Sequence, residues 1–248
     1  MEALRVENLT KNFGGVAAVQ NLSFKVNVGE QVAIIGPNGA GKSTLLNLLS
    51  GQLLPTKGHI YFHDKDVSRL SVHKRVHLGF ARSFQMNSLC PNLTVFDNMM
   101  LSIFGTKNSR FGFFKSVETY KEYKEHAQYL LQNMDLLENQ HKLVKDIGYG
   151  EQRKLEISLS IASGYEILLL DEPTAGLTNV ESEEIIRIIS NMTKDKTLLI
   201  VTHDIDSILS IINRTIVLNF GEMVIDGETD LVTRDKKVKE IYMGEGGI

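Results

Sequence analysis

Residues Gln31–Ser50 read QVAIIGPNGAGKSTLLNLLS. A β-branched apolar run, Gln31–Ile35, enters a glycine-rich turn, and the turn passes into a leucine-rich stretch fit for a helix. Within it GPNGAGKST, Gly36–Thr44, fits G-x-x-x-x-G-K-[ST] at Gly36, Gly41, Lys42 and Ser43, in the strand–loop–helix setting that the motif requires. Glycines at 36, 39 and 41 let the backbone curl so that successive N–H groups converge on phosphate oxygens. The helix that follows adds its positive N-terminal end. Lys42 has the reach for β- and γ-phosphates, and the Ser43 hydroxyl is a ligand for Mg²⁺. Gly36, Pro37, Asn38, Gly39, Ala40, Gly41, Lys42, Ser43 and Thr44 are therefore the expected nucleotide-binding loop.

Such a loop needs an acidic partner on a neighbouring strand. ILLLDEP, Ile167–Pro173, offers one: an apolar run ends in Asp171 and then Glu172. Asp171, at a strand's carboxyl end, is placed to hold Mg²⁺ through water, where ligands collect in open α/β sheets. Glu172, one residue further out, is placed to polarise a water for attack on a γ-phosphate. One strand later, LLIVTHD brings His203 to the same position relative to its own strand. An imidazole there can hydrogen-bond the γ-phosphate or the attacking water.

Around these motifs short apolar runs alternate with helical stretches. Strands are expected at Leu4–Leu9, Leu22–Val28, Gln31–Ile35, Gly58–Phe62, Ile167–Leu170, Leu198–Val201 and Thr215–Asn219. VAII, ILLL and LLIV are uninterrupted, as suits central strands buried on both faces of a mostly parallel sheet. Helices are expected at Lys42–Ser50, Asn179–Met192 and Asp204–Ile212. From about Met86 to Ala162 strand signals vanish and Val117–Met134 reads as a charged helix. This stretch is a helical insertion into one α/β core, with FGTKNSRFGFF (Phe104–Phe114) as an exposed loop.

Composition narrows the classes. The 248 residues carry 27 basic and 30 acidic side chains, a net charge of −3, which argues against a general nucleic-acid binder. A single cysteine, Cys90, makes no intrachain disulfide. No apolar run approaches the ~20 residues that span a bilayer, and MEALRVENLT lacks the pattern of a signal peptide. His73 and His77 share a helical face without an acidic third ligand, so they read as surface histidines rather than a metal site.

At this point the sequence resembles the ATP-binding-cassette (ABC) ATPases over nearly its whole length. GPNGAGKST is similar to their Walker A loop, ILLLDEP to their Walker B strand, and His203 to their switch histidine. The resemblance implies ATP and Mg²⁺ as ligands. It also implies a P-loop NTPase (RecA-like) core with an N-terminal antiparallel β subdomain and an inserted α-helical subdomain. One nucleotide-binding domain over 1–248 follows, with 1–85 and 163–248 forming the β subdomain and core and 86–162 the helical part. Gln85, closing ARSFQ, matches a glutamine implied to touch Mg²⁺ together with Ser43 and Asp171. Phe13, in TKNFGGVAAV, matches an aromatic that stacks on adenine. The signature, usually LSGGQ, reads IGYGE here (Ile147–Glu151), twenty residues before Asp171. It is a second glycine-containing turn at a helix N-terminus, hence a second anion site. Gly148, Tyr149, Gly150 and Glu151 are implied to close on the nucleotide of a second cassette, a copy or a paralogue. Gly148 stands where the family usually has Ser, and Thr178 where many members carry Asp.

ARSFQ, LTVFDNMML, Tyr149, DEPTAGLT and EIYMGEG resemble the importer ATPases for branched-chain amino acids; urea importers and a lipopolysaccharide exporter are nearby alternatives. Implied partners are a second cassette, integral membrane permease subunits and a substrate-binding protein, with no nucleic acid. The implied location is the cytoplasmic face of the cell membrane. Apolar residues after Gln85 are expected to include a permease-docking groove within Met86–Val95. A GTPase or P-loop kinase is disfavoured because Asp171 lies far from Lys42 in sequence and no Asn-Lys-x-Asp motif is present. A soluble cassette ATPase acting on DNA or ribosomes usually has two cassettes or long coiled-coil insertions, and this chain shows neither.

Overall fold

The computed structural model describes residues 1–83, 89–106, 117–162 and 164–243. Two sheets share the chain. The first is antiparallel, in the order β2 (Val16–Asn27), β1 (Glu2–Phe13), β4 (Lys57–Phe62), β5 (Lys65–Asp66). The second runs β10 (Glu222–Glu228), β9 (Arg214–Asn219), β3 (Gln31–Ile35), β8 (Thr197–Val201), β7 (Ile167–Asp171), β6 (Phe80–Arg82). It is parallel from β9 to β6, with β10 antiparallel at its edge.

The uninterrupted apolar runs are explained by two-sided burial. Val32, Ile34, Leu169, Leu199, Val201 and Ile216 face a core shared with the antiparallel sheet and helix α1 (Lys42–Ser50). Their neighbours Ala33, Ile35, Leu168, Leu170, Leu198, Ile200 and Val217 face a second core. That core is built with α3 (Val95–Thr106), α4 (Val117–Asn133), α5 (Tyr149–Ala162) and α6 (Asn179–Thr193). Successive side chains of a strand point to opposite faces, so one run supplies both cores. The remaining helices are short: α2 (Val72–His77), α7 (Thr229–Arg234) and α8 (Lys236–Met243).

The expected strands are all present, several of them longer than read. β1 and β2 extend to a tight turn between Phe13 and Val16, carried past irregularities in their pairing near Asn8 and Asn21, both at positive φ. Val28 falls outside β2 and is exposed. The expected helix Asp204–Ile212 is a correction: only a 3₁₀ turn, Asp206–Ile208, forms there. Thr202 Oγ1 and Asp204 Oδ1 accept backbone N–H groups two and three residues on, from Asp204 and Ser207. Such local side-chain bonds compete with helical ones. A second correction concerns Phe104–Phe114, whose first residues, Phe104–Thr106, close α3, while 107–114 lie outside the described residues.

Candidate active site

The phosphate loop leaves β3 between two parallel neighbours, β8 and β9. Its ends are pressed against backbone. A Cβ on Gly36, at φ 152°, would sit 2.1 Å from the Leu218 carbonyl oxygen of β9. One on Gly41, at φ 100°, would sit 2.4 Å from that of Ala18 on β2. Both positions demand glycine for space and for backbone angle. The loop is pinned from the other side as well, where the Gly221 N–H donates to Ala40 O at 3.0 Å. Lys42 is buried, and its ammonium donates to the carbonyls of Gly36 (2.6 Å) and Pro37 (2.9 Å), close over the loop. Ser43 is exposed at the first turn of α1, which holds no acidic residue. The positive end of the helix is thus left unscreened by its own sequence.

Asp171 ends β7 and Glu172 follows it; β7 is not the immediate neighbour of β3 as anticipated, since β8 lies between them. The carboxyl ends of β3, β7 and β8 therefore share one edge of the sheet. Asp171 is nearly buried. Burial raises its pKa from the ordinary aspartate value, and the guanidinium of Arg82, bonded to Oδ2 at 3.1 Å, opposes the rise. Its backbone N–H donates to the Ser83 hydroxyl at 3.2 Å. Glu172 still donates its N–H to Val201 O at 2.8 Å, then turns sharply at φ 44°, a costly conformation for a non-glycine residue. That turn lifts its carboxylate out of the sheet. Its Oε1 accepts from His203 Nδ1 at 3.1 Å, and the two side chains are partly open to solvent. A carboxylate and an imidazole thus meet at the tips of neighbouring strands.

The backbone around Glu172 is held from α5. Buried Arg153 donates to the carbonyls of Asp171 (3.0 Å), Glu172 (2.6 Å) and Pro173 (3.0 Å) and pairs with Glu156 at 2.8 Å. Burial raises the Glu156 carboxyl, with Arg153 acting against it. The same helix begins at the candidate signature. Gly148 is exposed before α5, and its N–H donates to Glu151 Oε2 at 2.8 Å. Asn139 supplies the other Glu151 oxygen with a second donor. This is one half of a capping box, lacking only the hydroxyl that a serine at 148 would return. Tyr149 donates its hydroxyl to Ala175 O at 3.1 Å, beside Gly176, so the signature touches the loop that follows Glu172. At Thr178 a complete capping box with Glu181 starts α6, which gives this residue a structural role of its own.

Phe13 is 48% exposed at the β1–β2 turn, with Lys11 Nζ 5.2 Å from its ring centre. It is therefore no core residue, and Lys11 stands over one face of its ring. Gln85 and Met86 lie outside the described residues. His73 and His77 face each other, Nε2 to Nε2, at 3.1 Å. Arg82 and Arg153 escaped the sequence reading. The available signal was a cation closing an apolar strand in one case and, in the other, one inside the buried stripe of the signature helix.

A glycine-rich loop clamped between strands, with carboxylates and a histidine at adjoining strand tips, defines a P-loop nucleoside triphosphatase. A family model described as ABC transporter matches residues 19–175. The chain belongs to the ATPase family of ABC transporters. It is 33% identical to the high-affinity branched-chain amino acid transport ATP-binding protein BraF of Pseudomonas aeruginosa, over 98% of each chain. To LivG of Escherichia coli, named for the same transport, it is 32% identical over 98% of each. An ABC-transporter cassette solved in its ADP conformation superposes with a TM-score of 0.83 at 29% identity, covering 98% of this chain and 99% of that one. A dimeric cassette with ADP and Pi, in a post-hydrolysis state, gives a TM-score of 0.77 at 27% identity, covering 91% and 98%.

Proposed function

We propose that this chain is the ATP-hydrolysing subunit of an importer for branched-chain amino acids. In this reading it works at the cytoplasmic face of the membrane with a second cassette, permease subunits and a substrate-binding protein. The carrying observation is the Glu172–His203 contact at the sheet edge that also holds the phosphate loop. End-to-end similarity to BraF and LivG supports the substrate class.

Lys42 and the loop N–H groups stabilise charge on the β- and γ-phosphates. Phe13 stacks on the base. Glu172 orients water in line with the γ-phosphate, and His203, held by Glu172, supports the phosphoryl oxygens. The donor set of Ser43 and Asp171, with Gln85, is all oxygen, which suits Mg²⁺. When bound, Mg²⁺ neutralises developing charge on the phosphates. Gly148–Glu151 presents its helix end to the nucleotide of the partner cassette.

We assign one domain to 1–248, with 86–162 as its helical part. Val95, Met99 and Met100 of this part are core, whereas Cys90, Leu93 and Leu101 are exposed. Cys90 and Leu101 border a cleft with Leu159, and the permease is assigned to that side.

Reconstitution with the cognate permease, second cassette and binding protein tests this reading. Leucine, isoleucine or valine should stimulate ATP hydrolysis and drive ATP-dependent uptake, and Leu93→Glu should abolish uptake while nucleotide binding persists. Uptake of some other solute class alone would overturn the substrate assignment, and full uptake with Leu93→Glu would overturn the docking assignment.

A further inference from the structure

Arg82 ends β6 with its side chain nearly buried, and its guanidinium forks between two parts of the site. One nitrogen, NH2, donates to Asp171 Oδ2 at 3.1 Å. The other, NH1, donates to three oxygens at the far end of the phosphate-loop helix: Asn47 Oδ1 (2.6 Å), Ser50 Oγ (2.9 Å) and Gln52 Oε1 (2.9 Å). No other described side chain bonds both the Asp171 carboxylate and α1. A planar guanidinium can do this because its donors are fixed in two directions; the point charge of a lysine serves one side at a time.

The consequence is geometric. Helix α1 carries Lys42 and Ser43 at one end and is gripped by Arg82 at the other. Arg82 holds one Asp171 oxygen, and Oδ1 receives no hydrogen bond among the described residues. We propose that Arg82 is a positioning residue for the metal–phosphate site, fixing the Asp171 carboxylate relative to the phosphate-loop helix that carries Ser43, the two groups that would serve Mg²⁺. This inference rests on the reading of Asp171 as the carboxylate that serves Mg²⁺.

The test is a Mg²⁺ titration of the full chain with a fluorescent ATP analogue, run beside binding in EDTA and a thermal melt. Outer partners of a metal-binding carboxylate change metal affinity by about 10–100-fold, so Arg82→Gln should raise half-saturating Mg²⁺ by about tenfold or more. Metal-free nucleotide affinity should stay within about twofold, and Arg82→Lys should fall between wild type and Arg82→Gln. A purely structural arginine would lower the melting temperature and leave the Mg²⁺ curve in place. Should Arg82→Gln fail to fold, the triple variant Asn47→Ala/Ser50→Ala/Gln52→Ala removes the three anchors at the far end of α1 while leaving Asp171 its cation, and it should shift the curve by about threefold. Asp171→Asn separates the two ideas. If it shifts the curve and folded Arg82 variants do not, the proposal fails and the metal reading stands. If it shifts nothing, the metal reading fails as well.

Discussion

Gly148 shows how one missing hydroxyl bears on both stability and chemistry. Its N–H already reaches Glu151, and a Cβ there would meet only Glu151 Oε2, at 3.6 Å, an ordinary contact. Gly148→Ser therefore fits without strain, completes the capping box and, on the proposed reading, offers one more donor to the partner's γ-phosphate. A hydrogen bond to a charged group is worth about 1.5–3 kcal/mol, so the assembled transporter should hydrolyse ATP at least about tenfold faster with Gly148→Ser. An unchanged steady-state rate would show that the absent hydroxyl does not limit turnover. The contrast with Glu172 is instructive. There the sequence supplies the carboxylate, but the backbone turn at φ 44°, the carbonyl clamp from Arg153 and the contact with His203 aim it.

At the scale of single elements, α1 is fixed at its end by a residue that sequence pattern does not mark. Arg75 is fully buried and donates to the carbonyls of Leu48 (2.7 Å), Leu49 (2.6 Å), Ser68 (3.1 Å) and Leu70 (3.3 Å). Burial lowers its guanidinium to about 10, with Asp66 opposing the shift. A cation against the last carbonyls of a helix satisfies orphan acceptors and the negative dipole end together. Arg75→Met should cost about 3 kcal/mol in urea unfolding at constant m-value, because three buried acceptors and one part-buried one lose their charged donor. A loss below about 1 kcal/mol would assign the anchoring of α1 to its apolar face instead. What was legible in the sequence follows the same division. The phosphate loop, β3, β7 and β8 declared themselves because unbroken apolar runs and glycine spacing are local signals. Arg75, Arg82 and Arg153 did not, since each earns its place through carbonyls and carboxylates brought from distant parts of the chain. Asp204–Ile212 misled for the opposite reason. Its isoleucines, Ile208, Ile211 and Ile212, are buried, yet side-chain bonds from Thr202 and Asp204 hold the backbone in a tighter turn.

Over the whole molecule, the proposed function places two anion-binding helix ends on one chain: α1 behind its own phosphate loop, and α5 behind the exposed Gly148. Tyr149 and Arg153 tie the N-terminal part of α5 to the backbone at and after Glu172, so that on the proposed reading a ligand at α5 is linked to that carboxylate. Such a layout makes sense when each nucleotide lies between two cassettes, and it leaves a lone chain with halves of two different sites. The direct measurement is the specific ATPase rate of a dilute, verified monomer set against the same chain in its assembled transporter, at saturating MgATP. The account predicts a rate at least about tenfold higher in the assembly, the loss expected when donors to the γ-phosphate are absent. Equal rates per chain would contradict it, for the site would then be complete without a partner.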